Sequence, residues 1–126
     1  MSSEFLHEDH DALGADVVDC HRAIVSVMEE LEAIDWYNQR AKAAGDAELR
    51  AVLEHNRDEE KEHAAMALEW LRRKDPVLGR HLRTYLFTES PLVAIENVAE
   101  HPSDDSKAPL VGDESLGVGS LRKAGQ

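Results

Sequence analysis

Two long runs of helically spaced apolar residues, parted by a short break, do most to restrict what this chain can fold into. Leu13, Val17, Cys20, Ile24, Val27, Met28, Leu31 and Ile34 recur at helical spacing and predict one helix from about Asp11 to Ala44, with Gly14 weakening its first turns. Leu49, Val52, Leu53, Ala67, Trp70 and Leu71 predict a second from Ala47 to Arg73 or Lys74. Between them Gly45 suits a helix C′ position and Asp46 the N-cap of the next helix. The pattern is that of a tight helical hairpin. Arg72, Arg73 and Lys74 suit the negative end of the second helix, and Asp75-Pro76 stops it. A shorter third helix is expected from Val77 to Phe87, followed by Ser90-Pro91.

Composition agrees with an all-α class. Only two Phe, two Tyr and two Trp stand among plentiful Ala, Leu, Val and Glu, and 126 residues allow one domain with at most a tail. Beyond Glu96 Pro, Ser, Asp and Gly mix without an apolar period, so the expected organisation is a helical domain over 1–95, a flexible linker over 96–113 and a terminal segment over 114–126. That segment gathers Leu116, Val118, Leu121, Arg122 and Lys123, a cluster that a purely solvating tail would not need.

Fourteen Lys and Arg against 26 Asp and Glu give a net charge of −12, which disfavours nucleic acid and anionic membranes as partners and draws cations to the surface. The same charge could serve solubility alone. Cys20 is the single cysteine, so no intrachain disulfide can form, and a reducing cytoplasm is expected. No run approaches the roughly 18 apolar residues of a membrane span, and the start lacks a signal-peptide pattern, so a soluble protein is expected.

Polar residues misplaced on these helices carry the chemistry. Glu60 and His63 fall inside the apolar stripe of the second helix, with Asn56 on the same face, and Glu30 falls at the border of the first helix's stripe beside Val27 and Ile34. An ionised carboxylate left unpartnered in an apolar interface costs several kcal/mol. An arginine and a hydrogen-bonded core histidine could compensate it, or a metal ion could. Glu-x-x-His at i, i+3 sets an oxygen and a nitrogen donor on one helix face, as di-iron carboxylate bundles require. Carboxylates and neutral imidazole hold Fe(II) and tolerate its oxidation, whereas Cys20 alone supports neither a zinc site nor an iron–sulfur cluster.

Ligand counting then bears on assembly. Ferritin-like bundles take a Glu from each of two helices and a Glu-x-x-His from each of two others. This chain supplies one of each, so a homodimer with a twofold contact that Glu30, Glu60 and His63 enter twice would complete the four-helix bundle and its di-iron centre. Glu29 and Glu32 point away from that edge, and a solvated acidic face is the plain reading of Glu29, Glu30 and Glu32. His7, His10, His55, His81 and His101 show no ligand pattern.

The strings His21-Arg22-Ala23-Ile24-Val25-Ser26-Val27-Met28-Glu29-Glu30-Leu31-Glu32-Ala33, Asp35-Trp36-Tyr37 and Asn56-Arg57-Asp58-Glu59-Glu60-Lys61-Glu62-His63-Ala64 resemble the encapsulated ferritins of bacteria. The likeness covers His21 to Thr88 and continues in His81-Leu82-Arg83-Thr84-Tyr85-Leu86-Phe87. The resemblance implies a two-helix protomer with a short third helix, dimers that share a ferroxidase centre, and a ring-shaped decamer housed in an encapsulin shell, where iron is stored. It implies Glu30, Glu60 and His63 as iron ligands, Glu29 and Glu32 as metal-binding residues on the approach to the centre, Trp36 beside that approach, and Tyr37 as a catalytic tyrosine just outside the ligands. Leu116-Gly117-Val118-Gly119-Ser120-Leu121-Arg122 is similar to the peptide that docks such enzymes in encapsulins, with Leu116, Val118 and Leu121 as the docking residues and Gly117 where Thr is more usual.

The leading expectation is thus a ferroxidase that oxidises Fe(II) with oxygen or peroxide and delivers Fe(III) for mineralisation inside the nanocompartment. The alternatives are a non-catalytic cargo protein that buffers Fe(II) or Zn(II) at the same carboxylates, and a structural cargo adaptor.

Overall fold

A computed structural model of the chain describes residues 5–101. These residues form five helices: α1 (His10–Leu13), α2 (Ala15–Ala43), α3 (Ala47–Lys74), α4 (Pro76–Tyr85) and α5 (Leu92–Glu100). The all-α expectation holds, and no strand occurs among the described residues. The chain divides after Leu78 into two compact units.

The first unit is built on the α2–α3 hairpin. Gly14 does more than weaken the first helix: at φ +84° it takes a conformation open to glycine and little else, and it separates α1 from α2, whose Val18 N–H then bonds the Gly14 carbonyl. At the other end Ala44 is extended and its N–H reaches the Arg40 carbonyl at 2.9 Å. Gly45 follows this cap without adopting a left-handed φ, so its freedom is not what turns the chain. Arg50 reaches back from α3 to the Ala44 carbonyl at 2.6 Å, and the Asp46 carboxylate accepts from the Leu49 N–H at 2.8 Å, the expected N-cap. Two cross-helix contacts fix the antiparallel register. Arg57 donates to Asn38 at 3.1 Å, and His63 approaches Glu30, so an earlier α2 residue meets a later α3 residue.

Asp75 ends α3 and starts α4 together, its Oδ1 accepting from the Val77 and Leu78 N–H groups at 3.0 Å each, while Pro76 takes the first helical position, which needs no donor. In the last turns of α3 Glu69 receives Arg72 at 2.7 Å and Arg73 at 2.8 Å. These guanidinium bonds hold the Glu69 carboxyl down to about 2.

The buried residues of this unit are few and small for helices so long: Val18, Ala41, Ala64 and Leu71. Val17, Ile24, Met28 and Leu31, spaced as one stripe of α2, are exposed, as are Leu49, Val52 and Met66 of α3. Much of the apolar periodicity therefore faces outward from the single chain.

In the second unit α4 ends two residues earlier than expected. Leu86 N–H bonds the Leu82 carbonyl at 2.8 Å, Phe87 turns to φ 62°, and Thr88 Oγ1 donates to the Tyr85 carbonyl at 2.6 Å, together closing the helix. Helix α5 begins after Pro91 and runs to Glu100. The linker expected from residue 96 is thus helical in its first five positions. Leu116, Val118 and Leu121 lie outside the described residues.

Candidate metal centre

The hairpin register brings together three side chains that lie up to 33 positions apart in sequence. Glu30 projects from the middle of α2, and Glu60 and His63 from consecutive turns of α3, because a separation of three residues keeps them on one face. His63 Nδ1 lies 3.5 Å from Glu30 Oε2 and 3.7 Å from Glu60 Oε2. One donor atom from each residue falls within 4.8 Å of the others, the one such group of three among the described residues. The side chains of Glu30 and Glu60 are 24% and 23% exposed and that of His63 is 46% exposed, so the cluster is half-covered and opens at the imidazole.

Its electrostatics are unresolved by the chain itself. Glu30 Oε2 is buried and has no hydrogen-bond partner. The Glu30 carboxyl is raised above its ordinary value first by Glu60, which can hydrogen-bond it only through a shared proton, then by lost solvation and by the Glu60 charge; His63 opposes these effects. The imidazole distances exceed those of good hydrogen bonds. Two crowded carboxylates, one orphan oxygen and one neutral-capable imidazole form a donor set suited to a hard or borderline cation. No arginine is paired with Glu30 or Glu60 among the described residues.

The other residues singled out by sequence are placed differently. Glu29 and Glu32 are exposed and outside the cluster. Trp36 is exposed, and Tyr37 is half-buried two turns beyond Glu30 on α2. His55 approaches Glu59 at 3.7 Å on the surface of α3. Sequence reasoning missed Arg40, whose guanidinium carbon stands 5.5 Å from the Tyr37 ring centroid and 5.9 Å from that of Trp36. An aromatic pair three and four residues before an arginine was the available signal.

A hairpin with a Glu on one helix and Glu-x-x-His on the other is half of a ferritin-like ligand set, and residues 5–89 match the EncFtn-like family. The chain belongs to the EncFtn-like family. An encapsulated ferritin-like protein of Rhodospirillum rubrum is 58% identical over 127 residues, covering 97% of this chain and 91% of the relative. A ferritin-like protein of Thermotoga maritima is 47% identical over 82% of this chain and 91% of its own length. At 30% identity, a Myxococcus xanthus protein named as an encapsulin nanocompartment cargo protein aligns with 79% of this chain and 81% of itself. Among solved structures, the crystal structure of a Nitrosomonas europaea protein superposes with a TM-score of 0.67 at 57% identity, covering 68% of this chain and 94% of that one. Membership in the EncFtn-like family agrees with the ferritin-like helical fold.

Proposed function

We propose that this EncFtn-like protein is a ferroxidase, with Fe(II) as its substrate and Glu30, Glu60 and His63 as the ligands. The observation that carries this reading is the convergence of those three donors around an orphaned, buried Glu30 oxygen. A dication there would relieve the carboxylate repulsion that raises Glu30 and would accept the neutral imidazole of His63. Each Fe(II) would give up one electron, so two ions with two protons would reduce oxygen to peroxide, and two more ions with two more protons would reduce that peroxide to two waters.

The chain's own residues provide the rest. Glu30 and Glu60 hold the charge and can each lend one or both oxygens as the ion shrinks on oxidation; His63, at the open side, fixes orientation without adding charge. Three donors leave an ion under-coordinated, which supports a second copy as the remaining ligand source. The exposed residues Val17, Ile24, Met28 and Leu31 leave α2 with apolar surface to pack against a second copy, and a twofold homodimer that covers the open side of the cluster at His63 would enclose a di-iron centre. A ring-shaped decamer of such dimers is the larger assembly we infer. To Glu29 and Glu32, exposed one residue before and two residues after Glu30, we assign cation binding on the approach to the centre, with Trp36 beside that approach and Tyr37 as a catalytic tyrosine outside the ligands, the roles that the family resemblance implies.

Relatives named as encapsulated ferritin-like and encapsulin cargo proteins support an encapsulin shell as the partner and nanocompartment as the location, with Leu116, Val118 and Leu121 as the docking residues. Iron oxidised at the helical domain would then be mineralised and stored within the shell. Fe(II) loss followed under oxygen with protein far below stoichiometry tests the enzyme. Many turnovers per chain are expected; a single stoichiometric uptake without turnover would instead establish metal buffering.

A further inference from the structure

In a chain of net charge −12, Arg40 pairs with no carboxylate among the described residues. Its guanidinium is engaged instead with two aromatic faces at once, Tyr37 at 5.5 Å and Trp36 at 5.9 Å, both within the roughly 6 Å reach of cation–π attraction. These rings lie three and four residues back, where α-helical neighbours share a face. Trp36 is 49% exposed, so the contact covers part of an aromatic surface that would otherwise meet water.

Tyr37 is the consequential partner. It is half-buried and follows Glu30 by seven residues, about 10.5 Å of helical rise, on nearly the same side of α2. Glu30 and Asn38, which meet His63 and Arg57 of α3, stand before and after it along α2, so Tyr37 lies at a level between the metal cluster and the hairpin loop. Rotation about its side-chain bonds would swing the phenol hydroxyl by several ångströms. A planar cation resting on that ring and on Trp36 restricts the rotation, and it does so with a group that cannot deprotonate.

We propose that Arg40 is a positioning residue: by stacking on Tyr37 and Trp36 together it holds the Tyr37 phenol at a fixed place on the loop-ward side of the Glu30, Glu60 and His63 cluster, and Fe(II) oxidation depends on Arg40 through Tyr37. This rests on the ferroxidase reading above. Arg40 itself touches no ligand, so its removal alters turnover rather than ion binding.

The test uses full-length protein and two readouts. Arg40→Gln should lower kcat about fivefold, the scale of one exposed cation–π contact, with KM for Fe(II) within about twofold. In a Tyr37→Leu background the same substitution should change kcat no further, because the group through which it acts is gone. Independently of iron, in a Trp70→Phe background that leaves Trp36 as the sole tryptophan, Arg40→Gln should lower iodide quenching relative to caesium quenching. An unchanged quenching ratio, or an equal loss of kcat with and without Tyr37, overturns the proposal. A wild-type protein that binds Fe(II) without turning it over overturns the ferroxidase reading and this dependence with it, and the quenching ratio then separately reports whether the stack forms.

Discussion

His63 Nδ1 faces Glu30 Oε2 across the hairpin at 3.5 Å, and that carboxylate oxygen, although buried, has no hydrogen-bond partner. The two residues are 33 positions apart, so only the antiparallel register of α2 and α3 joins them. Glu30→Ala, Glu60→Ala and His63→Ala should each lower Fe(II) oxidation by at least about 10²-fold, since each would remove two ligands from the proposed centre shared by two copies. Stopped-flow iron oxidation checks this. Near wild-type turnover in any one of them would move the centre elsewhere.

The glycines at the ends of α2 should respond in opposite directions. Gly14→Ala places a Cβ at φ +84° and should cost about 1 kcal/mol or more, whereas Gly45→Ala meets no atom within 4 Å and no left-handed backbone and should stabilise by about 0.4–1 kcal/mol. Thermal unfolding of the two variants gives the signs directly. A loss at Gly45 equal to that at Gly14 would show that the loop needs glycine after all.

Glu69 should contribute to acid sensitivity. Its carboxyl is held at about 2 by Arg72 first and Arg73 second, below the ordinary 4.5. A depressed carboxylate stabilises the folded state above its unfolded value and loses that contribution as pH falls through the folded one. The melting temperatures of wild type and Glu69→Gln should therefore differ above about pH 4.5 and converge as pH falls towards 2. A difference independent of pH would assign the effect to packing.

Removal of residues 114–126 should leave iron oxidation by the isolated protein unchanged while abolishing co-purification with a co-expressed encapsulin shell. Equal packaging of truncated and full-length chains would show that Leu116, Val118 and Leu121 are not the docking residues.

The hairpin was legible because its signals are local and mutually consistent: Asp46 caps α3, Asp75 and Pro76 punctuate α3 and α4, and the apolar period spans both long helices. Glu30, Glu60 and His63 stood out because charged groups on an apolar stripe demand a partner, and the register supplies their meeting. Gly14 was read as a weak point rather than a break, since helical spacing alone does not reveal a positive φ. Helix α5 was missed in part because nine residues carry few apolar repeats and the polar, Pro-rich sequence after it dominated the composition. The Arg57–Asn38 bond depends on register, which no periodicity encodes, whereas the contacts of Arg40 with Trp36 and Tyr37 are local to α2 and their spacing was visible in the sequence.

The central claim is that iron sits between Glu30, Glu60 and His63 of two copies. Anomalous scattering at the iron edge from crystals soaked anaerobically in Fe(II) tests it most directly. The account predicts two neighbouring iron peaks related by a twofold axis, each within bonding distance of these residues from both chains; iron bound elsewhere, or a single ion held by one chain alone, would contradict it.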